Sequence, residues 1–189
     1  MRNPAIAALL LALTAAPLAA QERQEMGNEP PEPPELTDAN IAAIVVVANQ
    51  ADIDNGELAL EKATDERVRA FANQMIESHT AINEAAGELV TELGVTPEAS
   101  EVSRSIHDAQ EAARERLDDL SGREFDRAYI DNEVTYHEAV IEAVDEVLIP
   151  SAQNEQLEQT LIDARPAFVS HLEQARSIQE ELVGEYKQQ

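Results

Sequence analysis

The chain has 189 residues, with 13 basic against 38 acidic side chains, a formal net charge of -25 and no cysteine. That charge opposes binding to nucleic acid phosphates and to an anionic membrane surface, so neither is expected as a partner, and protein partners are left undefined. Without cysteine there is no disulfide framework and no lipid-anchored cysteine, so packing alone must hold the fold.

Residues 1–20 read as a signal peptide, with Arg2 at the start, an apolar run from Ala5 to Leu13 and small residues at Ala19-Ala20. The run is shorter than the ~20 residues a bilayer span needs, and its flanks suit export and cleavage. A periplasmic or secreted protein is expected. Residues 21–36 hold acids and prolines with almost nothing to bury, the composition of a disordered linker. A helical bundle is expected over 37–183, followed by a short tail over 184–189.

From Thr37 the pattern changes. Ile41, Val45, Ala48, Asp52, Asn55 and Ala59 recur in steps of four and three, the spacing of one buried helical stripe. Thr64-Asp-Glu caps a second helix with the stripe Val68, Ala72, Met75, His79, Ile82, Ala86 and Leu89, which Gly94 stops. Thr96-Pro97 offers a start for a shorter helix carrying Val102, Ile106, Ala109, Ala113 and Leu117. Ser121 to Glu124 has a capping-box pattern for the long helix that follows, which ends near Pro150. Ser151 or Asn154 then caps a last helix with the stripe Leu157, Leu161, Ala164, Phe168, His171, Ala175, Ile178 and Leu182. Pro166 inside it removes one backbone bond and should kink it before His171. No stretch alternates with the period of a strand. The expected fold is all-α, an antiparallel four-helix bundle with an extra short helix in the central crossover.

Polar residues interrupt these apolar stripes at chosen places. Glu133 and His137 stand one turn apart on a face otherwise built from Ile130, Val134, Ile141, Val144 and Leu148. His79 and His171 occupy stripe positions on their own helices, as does Asp52. In an antiparallel pair, residues equidistant from the turn lie at the same height. The Thr64–Glu66 turn is midway between Asp52 and His79, and the Ser151–Asn154 turn is midway between His137 and His171. The two pairs then stand roughly 20 and 25 Å from their turns, so a small offset of the hairpins forms one layer. Imidazoles and carboxylates in that layer suit one transition metal ion, Zn, Cu, Fe or Ni, with Asp52, His79, Glu133, His137 and His171 as ligands. Met75, four residues before His79, is peripheral to it. The competing reading is a hydrogen-bonded network that fixes helix register without metal, in a non-catalytic, acidic structural or stress-related protein of the envelope. His107 lies off its stripe and is expected to be exposed.

The chain resembles a family of exported bacterial proteins known as domain of unknown function 4142, whose members are ferritin-like and often labelled outer membrane proteins. The resemblance covers about 36–182. It rests on Gly56-Glu-Leu-Ala59, Phe71-Ala-Asn-Gln-Met75 followed by His79-Thr80, Ser121-Gly122 with Phe125-Asp-Arg-Ala-Tyr129, His137, and Pro166 with His171-Leu172. Where the family usually has Glu, Asp and Leu, this sequence has Asp52, Ser78 and Arg165. The resemblance implies a ferritin-like bundle and an extracytoplasmic compartment, and no reaction. A di-iron carboxylate bundle carries Glu-x-x-His pairs, yet Ile76 and Phe168 stand three before His79 and His171. No nucleophile–base constellation is visible, so no catalytic residue is assigned; an enzyme would have to use an open position on the metal.

Overall fold

Thr37 starts the helical part of the chain by satisfying donors that the first turn leaves free. Its hydroxyl accepts from the Asn40 amide at 3.2 Å, and the Asn40 side chain accepts in return from the Thr37 amide. The structure, a computed structural model, describes residues 35–186. The expected signal peptide and nearly all of the linker lie outside the described residues, as does the end of the tail. Every regular element described is helical: α1 (Asp38–Lys62), α2 (Glu66–Glu92), α3 (Glu101–Asp118), α4 (Gly122–Ala143), a π-helical turn (Val144–Leu148), α5 (Ile149–Ser151) and α6 (Glu155–Tyr186). The fold is all-α. Among the described residues no helix is long and apolar enough to cross a membrane.

The four long helices close a ring: α1 packs along α2, α2 along α6, α6 along α4, and α4 against α1. The short α3 lies in the crossover and packs on α1 and α4. Gly56 lets α1 and α2 approach closely, because a Cβ there would stand 2.9 Å from Ile76 Cγ1 and 3.1 Å from the Ala72 carbonyl oxygen. Two apolar clusters fill the interior. One joins Leu58, Phe71, Met75, Phe125, Tyr129 and Ile130 near the α1–α2 turn, and the other joins Ile41, Ile44, Val144, Leu148, Leu161 and Phe168.

Several helix ends differ from expectation, each for a visible reason. Asp65, not Thr64, caps α2, because the Thr64 hydroxyl and amide both donate to Asp126, at 2.6 and 2.9 Å. Helix α3 starts from Ser100 with a capping box to Ser103, and not at Thr96-Pro97. The stretch before it is tied to the start of α1: the Glu98 amide donates to the Ala39 carbonyl at 2.9 Å, and Asn40 Nδ2 donates to the Glu98 carbonyl at 3.0 Å. Ser121 precedes α4 without a capping bond from its side chain, and Gly122 turns the chain with φ of 59° instead. Gly94 ends α2 in the same left-handed region, with φ of 64°. Asn154 caps α6, its Oδ1 accepting from the Gln156 and Leu157 amides. Helix α6 continues through Pro166 and past the expected boundary at 183. Beyond α4, the π turn keeps Val144 and Leu148 buried while Arg165 donates two bonds to the Asp145 carboxylate, at 2.5 and 2.6 Å.

Candidate metal centre

Between the two apolar clusters lies a polar layer to which every long helix contributes. Asp52 comes from α1, His79 from α2, Glu133 and His137 from α4, and His171 from α6; all five are buried, at 0–3 % exposure. The height expected from the two turns holds. The three imidazole rings form a near-equilateral triangle, with centroids 5.7 Å apart for His79–His137, 5.2 Å for His79–His171 and 5.4 Å for His137–His171. His79, His137 and His171 can each bring one nitrogen within 4.8 Å of the others, and Asp52, Glu133 and His137 meet the same limit. Two overlapping triads therefore share His137.

Neighbouring groups fix the imidazole tautomers. His137 Nδ1 lies 3.0 Å from the Glu133 carbonyl oxygen, which can only accept, so Nδ1 carries the proton and the lone pair is on Nε2. His79 Nδ1 lies 2.7 Å from Asn49 Oδ1, and Asn49 Nδ2 donates to Asn83 Oδ1 at 3.1 Å, which again leaves the lone pair on Nε2. Those two Nε2 atoms have no hydrogen-bond partner, and neither does His171 Nδ1. Asp52 Oδ2 and His79 Nε2 are 3.4 Å apart, a loose contact. The three imidazoles thus each hold one buried nitrogen that the protein leaves unsatisfied, a costly state for a plain structural network, whereas Asp52 and Glu133 face one another as a hydrogen-bonded carboxyl pair.

Burial pushes His79 down to about 3, helped by the neighbouring imidazoles, and His137 and His171 down to about 4. Burial raises Glu133 to about 7, and burial plus the facing Glu133 raises Asp52 well above the carboxylate range. Tyr129 and Tyr136 beside the layer are also raised well above the phenol range, by burial first. Burial thus disfavours the charged form of every group in the layer, imidazolium and carboxylate alike.

Opposed contributions to the stability of the metal-free protein follow from these shifts. Histidines depressed from 6.5 contribute stability that is complete above about pH 6.5 and lost as pH falls toward 4. The carboxyls act oppositely: Glu133, raised from 4.5 to about 7, erodes stability as pH climbs through that interval. Removing them with Asp52→Asn and Glu133→Gln together is expected to make the metal-free melting temperature rise more steeply with pH between 4.5 and 6.5 than in the wild type. Equal or shallower slope in thermal melts would contradict the assignment.

Sequence reasoning placed all five residues but missed their supports. Asn49 lies three residues before Asp52 and so on nearly the same face of α1, a signal that its neighbour Ala48 on the stripe obscured. Tyr136 donates to the Ala48 carbonyl at 3.0 Å, and Phe168 stacks on His79 with centroids 5.9 Å apart. Met75 is fully buried in the adjacent cluster and belongs to the core. His107 is exposed, as its place off the stripe requires; its contact is with Asp108.

Fold and site together define a class: an all-α bundle whose interior holds a buried imidazole–carboxylate layer. The family described as domain of unknown function (DUF4142) matches residues 21–178, and the chain belongs to it. Among solved structures, a DUF305 protein from Streptomyces coelicolor is similar at 12 % identity over 77 % of this chain and 93 % of its own, with a TM-score of 0.65. A DUF305 fragment from Deinococcus radiodurans is similar at 14 % identity over 78 % of this chain and 99 % of its own, also at 0.65. At such identity the likeness shows the fold alone. No curated protein matches the chain.

Proposed function

We propose that this is an exported metal-binding protein whose bundle holds one divalent transition metal ion between His79, His137 and His171, with Asp52 and Glu133 completing the donor set. The observation that carries this reading is that three buried imidazoles each keep a nitrogen without a hydrogen-bond partner, beside the facing carboxyls of Asp52 and Glu133. One dication supplies an acceptor for those lone pairs and balances two carboxylates, so one ion per chain leaves the layer neutral. Imidazole nitrogen with carboxylate oxygen suits Zn, Cu, Fe or Ni. Such an ion supplies Lewis acidity, or electron transfer where the metal is redox-active. The protein's own residues orient it: Asn49 and the Glu133 carbonyl hold two imidazoles in the ligating tautomer, as outer partners of metal-bound histidines do. Export rests on the composition of residues 1–20.

Elemental analysis of protein purified without chelator or affinity tag should find close to one metal ion per chain. Absence of metal there, and after refolding with each of the four metals in turn, would end the reading. The register-fixing network would then be left, supported by the Asn83–Asn49–His79 chain of bonds.

A further inference from the structure

Above the polar layer the bundle is incompletely filled. A cavity of about 50 Å³ runs between the upper halves of α1, α2 and α6 and the end of α4, and it reaches Asp52 and His79. Its walls include Ile82, Ala86 and Leu89 from α2 and Leu161, Ala164 and Phe168 from α6. Thr160, Asn49, Asp52 and His79 are its only polar linings. Ile82, Ala86 and Leu89 remain half-buried, so the seam between α2 and α6 is not sealed. Phe168, stacked on His79, stands where the cavity meets the layer.

Size and chemistry select the occupant. A water needs ~10–15 Å³ of such space, so the cavity takes a molecule of a few atoms. Apolar walls give a hydrated cation or a small anion such as superoxide nothing to replace its hydration, and desolvation of a charge without a partner is prohibitive. A neutral apolar diatomic loses nothing by entering. Meanwhile His79, whose Nε2 is unpartnered, and Asp52 line the cavity and belong to the layer assigned to the metal. We propose that this cavity is a binding site for a small uncharged apolar molecule of the dioxygen class, held against the His79 edge of the polar layer. Its role as a store of ligand for the metal rests on the reading above, whereas its occupancy does not.

Dioxygen itself is the probe. Full-length metal-free protein is placed under oxygen pressure, and paramagnetic relaxation of methyl protons is measured by NMR. Methyls of Ile44, Leu148 and Leu161, which line the cavity, are expected to relax severalfold faster per unit of oxygen than those of Leu58, Ala59 and Ala175, equally buried in the other cluster. Ala164→Phe should fill the cavity and abolish the difference; if that variant does not fold, Ala86→Leu takes its place. Equal relaxation of the two methyl groups in the wild type, or an unchanged difference in a folded filling variant, would overturn the proposal. A metal titration on the same samples separates the readings: oxygen enhancement without metal binding supports the cavity and removes the metal, and metal binding without enhancement does the reverse.

Discussion

His137→Ala is expected to abolish the stabilisation that the proposed metal ion would confer, because His137 is the residue common to both triads. Binding to the native state alone stabilises by linkage, about 2.7 kcal/mol when free metal is a hundredfold above its dissociation constant. Wild-type melting temperature should therefore rise with metal and fall with chelator. In His137→Ala the two conditions should give nearly the same melting curve, and His79→Ala and His171→Ala should approach that behaviour. His107→Ala sets the baseline, with a change under about 0.5 kcal/mol in either condition, as for other surface positions. A network that only fixes register predicts something else: each histidine variant would lose the same stability with and without chelator. That outcome in calorimetry would transfer the layer from ligand binding to packing.

The second large effect lies away from the layer. Asp126 is buried, and its carboxylate accepts from the Thr64 amide at 2.9 Å, the Thr64 hydroxyl at 2.6 Å and the Asp65 amide at 3.1 Å. One side chain of α4 thereby ties down the whole α1–α2 turn. Hydrogen bonds to an ionised acceptor are worth roughly 1.5–3 kcal/mol, and removal strands donors that are now partly buried. Asp126→Ala should lower the unfolding free energy by about 3 kcal/mol, seen as a lower urea midpoint with an unchanged m value. Asp126→Asn, which keeps one acceptor oxygen, should lose less. A loss under about 0.5 kcal/mol for Asp126→Ala would place this turn among ordinary surface features.

Helix positions and the layer's membership were legible because both follow from periodicity. Steps of four and three select one face of a helix, and equal rise per residue levels antiparallel partners, so Asp52 with His79 and His137 with His171 could be placed by counting from two turns. Caps were less legible because they depend on tertiary partners. Thr64 has the chemistry of a cap, yet it is recruited by Asp126, and just after Thr96-Pro97 the backbone of Glu98 is bonded to the start of α1. The π turn has no local signature; Val144 and Leu148 are buried within it, and its Asp145 meets Arg165 from α6. Nor was the cavity foreseeable, since the stripe residues of α2 and α6 that line it, Ile82 and Leu161 among them, look alike whether two helices touch or part slightly. Asp126 illustrates the limit: its place in Phe125-Asp-Arg-Ala-Tyr129 was evident, but that it reaches back to Thr64 was not.

Each of the four long helices supplies at least one donor to the layer, and the donors span the chain from Asp52 to His171. In terms of exchange kinetics, an ion held there is a cross-link among four segments, and no hydrated cation can leave along an apolar cavity. Its release waits on the helices separating, so its residence time follows the opening rate of the bundle and not the strength of any single bond. If the proposed ion binds there, it would be retained through changes of surroundings fast on the unfolding timescale, which suits long-term holding better than rapid hand-over between carriers.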